Sequence, residues 1–484
     1  MTDARAGQDH PVCIARNRDR VSNSAPNLAR RVTAFTAACV IISNMIGTGI
    51  FGTTGFIARD LGHPVVILLV WILGGGLAFL GALCYCELGA AMPRAGGEYI
   101  YIREAYGPLL GFLSGWMSLT IGFSAAIATN AHLFAIHARE LLPDVFSHAG
   151  MHGGWGHYVL HPRSIALAMV WTLTIVHVAG VGAGGFVQRV LTIAKVGAIV
   201  LLIAAGVLVG KGQFGRVISG DSTPQFSLSA VLVSLLFVSF SYSGWNAAGY
   251  IAGEMEEPRT SIPRATLWGT GCVAVLYLGL NLLYVYALPI STLAADPIEP
   301  VAHKSAAAMF GDGAGRWVTA MLSVSILGAA SAMIWAGPRV YYSMSRDGVF
   351  PAAFGRTTSR ASSPVQSIVL QSVWVSILVM SGTFETLLLY AGFVLVVFTG
   401  LAVGAVIVLR IRRPDLERPY RVRPYPLVPV AYLAISLTIM WAAFVVRPME
   451  SVLGVATVLT GVPWYFYWKR KNAACVETGA AGKA

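Results

Sequence analysis

Charged residues are scarce in this chain of 484 residues, since Asp, Glu, Lys and Arg together make up only 12% of it. An ordinary soluble domain carries about 25%. A soluble protein of this length would need a far more polar surface, whereas 56% of these residues are hydrophobic. The composition therefore excludes a soluble enzyme, a secreted disulfide scaffold, a disordered chain and a nucleic-acid-binding protein.

Cysteine is rare as well: the chain has six, and none lies in a segment predicted to face outward. We therefore expect no structural disulfide. Six of the ten His residues lie between 132 and 161, but their spacing matches no trusted metal motif. A surface loop is favoured there over a metal site or a pH sensor, and we expect no metal and no cofactor.

Twelve stretches are long and apolar enough to cross a membrane, which takes about 20 residues each. They predict an all-α polytopic membrane protein with 12 transmembrane helices. The stretches lie near 32–57, 64–92, 108–137, 164–180, 190–210, 228–253, 265–289, 317–338, 364–381, 385–409, 427–445 and 450–468.

The Lys and Arg residues orient these crossings. The segments that share a side with both termini hold 25 of them, and the opposite segments hold 8. Because basic residues favour the cytoplasmic side, both termini are predicted to be cytoplasmic in a multi-pass protein of the plasma (inner) membrane. The net charge of +12 is then explained by topology. No nucleic acid is needed as a partner, and the lipid bilayer surrounds the chain.

Two of the twelve stretches contain residues that interrupt a helix. In 46–51, Gly47 and Gly49 each weaken a helix by about 1 kcal/mol. In 239–246, Ser and Gly residues compete with regular helix hydrogen bonding. In lipid, bared backbone is tolerated where it lines a cavity. The alternative is that Gly47 and Gly49 merely permit close helix packing.

The two breaks lie in helices 1 and 6, which are equivalent positions in two five-helix repeats of inverted topology. The chain then divides into repeat 1 (32–210, helices 1–5), repeat 2 (228–409, helices 6–10) and two peripheral helices (427–468), with cytoplasmic tails at 1–31 and 469–484. Free N–H groups at the start of a half-helix suit a carboxylate, and unwound carbonyls suit an ammonium group. A site with both suits a free amino acid.

Four groups of residues resemble the amino acid–polyamine–organocation superfamily, and within it the bacterial relatives of the L-type amino acid transporters. The resemblance covers 32–410, while helices 11 and 12 agree only in number. The matching stretches are 47–51, then 87–88 and 93–99 with Gly111, Phe112, Gly115 and Trp116, then 240–245 with Glu254, Pro258 and 262–265, and finally Pro338, Arg339, 345–348 and Pro351.

This resemblance implies the LeuT-type 5+5 inverted-repeat fold and alternating access around a midplane site. Backbone N–H groups of Thr48 and Gly49, with the Thr48 hydroxyl, would hold the substrate carboxylate. The carbonyls of Met45, Phe240 and Ser243 would hold the amino group, and Phe240 would cover the substrate. The predicted substrate-binding residues are Met45, Gly47, Thr48, Gly49, Ile50, Phe240, Ser241, Ser243 and Asn246.

Two departures from the family pattern bear on specificity. Thr48 stands where the family usually has Ser, and Ser243 where it often has Gly or Asp. The middle of helices 3, 8 and 10 has no acidic residue. Together with Asn246 and Ser243, this absence indicates a neutral substrate side chain. Glu87 is expected to pair with an inward Arg such as Arg339.

Lys195 lies inside predicted helix 5, where a charge costs about 3 kcal/mol. The side chain could reach the cytoplasmic face. The resemblance implies instead that its ammonium fills the place where sodium-coupled relatives bind Na⁺, bridging helix 1 to helices 5 and 8. That role implies sodium independence, with coupling to protons through Lys195 or amino acid exchange as alternatives.

The sequence thus predicts a secondary active transporter for amino acids, an antiporter or proton symporter, and not an enzyme. An amine or polyamine transporter or exporter of the same fold is the alternative, and a sensor or channel is disfavoured. The family's animal members join a partner subunit through a Cys after helix 3. Because 138–163 contains no Cys, no disulfide-linked partner is expected.

Overall fold

The computed structural model describes residues 28–142, 161–218, 227–295, 301–311, 313–358, 363–382, 384–446 and 448–481. Within these ranges the chain is helical and forms no β-strand, apart from one isolated bridge between Val32 and Met255. The His-rich stretch of the outward loop lies almost wholly outside the described residues.

The helices follow the predicted apolar stretches closely. The α-helices are Ala34–Met45, Gly49–Leu61, Pro64–Ala91, Glu98–Tyr106, Pro108–Met117, Phe123–Leu141, Pro162–Val178, Val181–Leu208, Gly215–Ile218, Leu228–Ser241, Ala247–Tyr250, Pro258–Ala287, Ile290–Leu293, Val301–Phe310, Ala314–Arg346, Val365–Ser381, Phe384–Arg412, Leu427–Val446, Pro448–Leu459 and Gly461–Ala481. A π-helical turn, Ser118–Gly122, joins Pro108–Met117 to Phe123–Leu141, and two short 3₁₀ turns occupy Ala252–Glu254 and Ala352–Gly355.

By length and composition, eight segments of the described chain could cross a membrane. Three shorter apolar helices accompany them, Pro162–Val178, Leu228–Ser241 and Val365–Ser381. The outer surface of the bundle is apolar: Leu201 is 69% exposed and Ile175 67% exposed. Apolar patches of this extent do not face water in a soluble monomer. The prediction of an all-α, multi-pass membrane protein is confirmed at this level.

Some helix bounds differ from the predicted ones. Helix Val181–Leu208 was expected to begin near 190, but the turn before it needs only Gly180, whose φ is 133°. Helix Ala314–Arg346 continues through Pro338, which we had placed at its end. The last predicted stretch is divided at Thr460, and its second part, Gly461–Ala481, runs into the segment predicted as a tail.

A buried ion pair joins the segment after the second break to helix Ala314–Arg346. Arg339 Nη2 lies 2.7 Å from Glu254 Oε1, and Trp335 Nε1 donates to Glu254 Oε2 at 2.8 Å. The side chains of Arg339 and Glu254 are 1% and 0% exposed. Arg339 is therefore not the inward Arg that pairs with Glu87.

Glu87 has other partners. Arg410 Nε donates to it at 2.8 Å, Arg418 Nε lies 3.4 Å away, and the Val422 N–H donates at 2.8 Å. Arg410 lies in the last turn of helix Phe384–Arg412, and Arg418 and Val422 follow that helix. Glu87 therefore ties the connection after that helix to helix Pro64–Ala91, a structural role.

Replacing Arg339 by Met should leave the Glu254 carboxylate buried without its counter-charge, which costs about 3–5 kcal/mol. We expect a clear fall in the melting temperature of the detergent-purified protein. Arg259→Met is the matched control, because Arg259 and Glu417 are 54% and 70% exposed and such pairs contribute about 0–1 kcal/mol. Equal melting temperatures for the two variants would contradict a stabilising role of the buried pair.

Candidate functional site

The first helix break lies at residues 46–48, between Ala34–Met45 and Gly49–Leu61. The Gly47 N–H turns back to the Met45 carbonyl at 2.9 Å. Among the described residues, no backbone carbonyl accepts the N–H groups of Thr48, Gly49 or Ile50. These three donors begin a helix and point along the positive end of its dipole, which is an arrangement that binds anions.

The second break lies at residues 242–246, between Leu228–Ser241 and Ala247–Tyr250. Gly244 has φ 109°, which an L side chain rarely adopts, and a Cβ there would lie 2.8 Å from Asn44 Nδ2. The Phe240 carbonyl already accepts the Ser243 N–H at 3.0 Å, whereas no described backbone N–H donates to the Ser243 carbonyl. The free carbonyl is an acceptor for a donor group in the site.

Tyr277 connects the two breaks. Its hydroxyl lies 2.6 Å from the Met45 carbonyl and 3.0 Å from the Ser241 carbonyl. Asn44 Nδ2 also donates to the Gly244 carbonyl at 3.3 Å. Helix Pro258–Ala287 thus presents one side chain that holds both interrupted backbones, and the Met45 carbonyl is fully used by Tyr277 and Gly47.

Lys195 lies behind the first break and is 0% exposed. Its ammonium donates to the Ile46 carbonyl at 2.7 Å, to the Ser43 carbonyl at 3.1 Å and to Ser43 Oγ at 3.3 Å. A Cβ on Gly328, in helix Ala314–Arg346, would lie 3.2 Å from Nζ. The ammonium therefore hydrogen-bonds to backbone oxygens at the first break and lies between three helices.

A cavity of about 450 Å³ opens between the two breaks. That volume suits a small molecule. Of the predicted site residues, Thr48, Gly49, Phe240, Ser243 and Asn246 line it. Its lining does not include Met45, Gly47, Ile50, Ser241 or Lys195. Ser241 packs closely on Gly49. A Cβ added at Gly49 would lie 2.6 Å from Ser241 Oγ.

Glu98 also lines the cavity, although sequence reasoning placed it in an inward loop. The carboxyl is buried, accepting from the Tyr85 hydroxyl at 2.6 Å and from Asn246 Nδ2 at 2.7 Å. Helix Glu98–Tyr106 lies outside the eight candidate spans, and burial raises the pKa of Glu98 while these hydrogen bonds oppose the rise. The absence of acidic residues from the middle of helices 3, 8 and 10 therefore does not exclude a carboxyl at the cavity, because Glu98 comes from another helix.

Gly96 and Gly97 are the sequence feature that could have indicated the position of Glu98 at the cavity. Their φ angles are 118° and 52°, and a Cβ on Gly97 would lie 2.6 Å from the Tyr250 ring. The two glycines let the chain turn inward against the second break. Asn44, Thr53 and Tyr250 are further lining residues that sequence reasoning missed.

The fold and the paired breaks agree with what comparison to known proteins finds. A model of the amino acid permease family matches residues 32–466. The chain belongs to this family. The permease is accordingly an amino acid transporter and not an enzyme.

Several relatives match the permease over most of its length. The Asc-type amino acid transporter 1 of Mus musculus is 29% identical over 458 residues, which is 92% of this chain and 82% of the relative. The large neutral amino acids transporter small subunit 2 of Homo sapiens is 28% identical over 462 residues, again 92% and 82%. The b(0,+)-type amino acid transporter 1 of Mus musculus is 27% identical over 446 residues, 91% and 88%.

Gly49→Ala tests the close approach of the two breaks in the permease. The new Cβ would lie 3.0 Å from Ser241 Cα, so backbone must move, and overpacking of this kind costs about 1–3 kcal/mol. We expect loss of transport in proteoliposomes and a lower melting temperature. Gly76→Ala is the control, since its Cβ meets nothing within 4 Å. Wild-type transport by Gly49→Ala would argue against this packing.

Proposed function

We propose that this permease moves free amino acids with neutral side chains across the plasma membrane by alternating access. The observation that carries the proposal is the cavity bounded by two interrupted helices, with unpaired N–H groups on one side and a free carbonyl on the other. The relatives are named for Asc-type, large neutral and b(0,+)-type amino acid transport, which supports the substrate class.

The substrate carboxylate would bind the N–H groups of Thr48, Gly49 and Ile50, with the Thr48 hydroxyl beside them. The Ser243 carbonyl would accept the amino group, and Phe240 would cover the occupied site. The carbonyls of Met45 and Phe240 already accept protein hydrogen bonds, so they would contribute by shaping the wall.

The packing of the breaks supports an inverted repeat within a 12-helix LeuT-type bundle. Phe56, after the first break, stacks on Phe237, before the second, with ring centroids 6.0 Å apart. Val32, before the first broken helix, forms its bridge with Met255, after the second. The two helices therefore run antiparallel, as the first members of inverted five-helix repeats would.

With the termini in the cytoplasm, the same antiparallel packing of the two broken helices supports an outward-facing state of the permease. The cavity is lined along Gly52, Thr53, Phe56 and Phe237, on the side away from the N-terminus. At the opposite end, the Arg31 and Val32 N–H groups donate to the Glu254 carbonyl at 2.9 and 2.8 Å. In the alternate state, the cavity would close on the side of Phe56 and Phe237, and the contacts of Arg31 and Val32 with Glu254 would open.

A second candidate function is transport of amines or polyamines. Glu98 favours it, because a buried carboxyl beside the cavity could pair with a cationic group. It stays second because such substrates have no carboxylate to occupy the three unpaired N–H groups at the first break.

Counterflow in sodium-free liposomes that hold the purified protein tests the substrate class. We expect preloaded neutral amino acids to stimulate entry of labelled alanine and leucine. Liposomes preloaded with putrescine or spermidine should give no stimulation. Stimulation by polyamines alone would reverse the choice between the two candidates, and no stimulation by any amino acid from folded protein would exclude the first.

Lys195→Met tests the proposed sodium independence. The change leaves the carbonyls of Ser43 and Ile46 buried without their donor, at about 1–3 kcal/mol each, so we expect transport to fall at least about tenfold. Lys211→Met, an exposed lysine, is the control. For the wild type, replacing choline by Na⁺ should leave the rate unchanged, and stimulation by Na⁺ would contradict the proposal.

A pH gradient separates the two coupling alternatives. Proton symport through Lys195 predicts uphill uptake driven by an inward proton gradient, whereas exchange predicts movement only against a counter-substrate.

A further inference from the structure

The Asn246 side chain has a fixed direction in the cavity wall. Its Nδ2 donates to Glu98 Oε1 at 2.7 Å and to the Tyr250 hydroxyl at 3.1 Å, which uses both amide hydrogens. Among the hydrogen bonds of the described residues, none reaches Asn246 Oδ1. Because Asn246 lines the cavity, the free amide oxygen is the polar atom it offers to an occupant.

Glu98 imposes this direction. Its Oε1 accepts from the Tyr85 hydroxyl as well as from Asn246, so this oxygen acts as an acceptor and the amide turns its NH₂ group toward it. Tyr85 donates to the same Oε1 at 2.6 Å, and the Tyr250 hydroxyl also hydrogen-bonds to the carboxyl. No Lys, Arg or His side chain forms an ion pair with Glu98 in the described part of the chain, so neutral donors, Asn246 among them, hold it.

We propose that Glu98 is a positioning residue that holds the Asn246 amide oxygen toward the cavity, and so selects substrate side chains that donate a hydrogen bond over those that only accept one. This rests on the proposed function, because it takes the occupant to be an amino acid. Glu98 acts through Asn246 and need not touch the substrate.

The chemical consequence concerns acceptor-only side chains. An ether oxygen beside Asn246 Oδ1 would bring two hydrogen-bond acceptors together and would lose its hydrogen bonds to water. A methylene group in the same place has no such hydrogen bonds to lose. Sites that fix the direction of a hydrogen bond reject the wrong partner because buried polar groups are left unpaired. The wall should therefore discriminate between isosteres that differ by one atom.

Norvaline and O-methylserine form such a pair, with a methylene replaced by an ether oxygen. In counterflow with each as the labelled substrate, we expect wild-type protein to favour norvaline by about tenfold in KM. In the double variant Glu98→Met/Tyr85→Phe, the carboxyl that fixes the amide direction is gone, and the remaining Tyr250 hydroxyl can either accept from Asn246 or donate to it. The preference should fall to near parity there.

Tyr85→Phe alone is the matched control. It removes one hydrogen bond from Glu98 Oε1 and leaves the bond to Asn246, so it should keep the wild-type substrate ratio. A double variant that keeps the ratio, or a wild type without any preference, would overturn the proposal. A general loss of structure would abolish counterflow of both substrates, which distinguishes it from a ratio that is kept.

A swap of donor and acceptor gives a readout that needs no transport. Asn246→Asp sets two carboxyl groups face to face and should lower the melting temperature. Glu98→Gln added to it supplies an amide NH₂ and should restore the melting temperature. Wild-type melting of Asn246→Asp would refute the pairing. Absence of all counterflow would instead refute the proposed function, and the swap would still decide the pairing.

Discussion

The structure depends on satisfying backbone polar groups where two helices are interrupted inside an apolar bundle. Away from the cavity, neither lipid nor water offers a partner and each unsatisfied group costs several kcal/mol, so the breaks persist because side chains supply the missing partners there. Tyr277 bonds to carbonyls of both breaks, Lys195 bonds to the carbonyl of Ile46, and Asn44 bonds to that of Gly244. The N–H groups left over are the ones that the proposed substrate site uses.

Among the described residues, the two breaks leave a small set of backbone groups without a hydrogen-bond partner. The carbonyls on the protein side of the breaks are occupied, while three N–H groups and the Ser243 carbonyl are not. In the proposed outward-facing state, access to them is asymmetric: Phe56 and Phe237 line the cavity on one side, and at the opposite end the Arg31 and Val32 N–H groups bond to the Glu254 carbonyl. Alternating access requires such an asymmetry.

Sequence reasoning correctly predicted both breaks, the helical membrane fold and the position of Lys195 inside an apolar helix. It did so because these features are local: glycines weaken helices where they stand, and a lysine in an apolar run is visible without a fold. Reasoning about partners was less successful. Glu87 pairs with Arg410 and not with Arg339, since the choice between inward arginines depends on how distant helices lie beside one another.

The sequence by itself determined where helices form and where they are interrupted, because hydropathy and glycine content act over a few residues. Only the tertiary structure decided which polar groups meet at the site. Glu98 lies in a segment that is polar and charged in sequence, yet the turn at Gly96 and Gly97 carries it against Tyr250 and Asn246. The burial of a carboxyl depends on what the rest of the chain packs around it, and no local pattern records that.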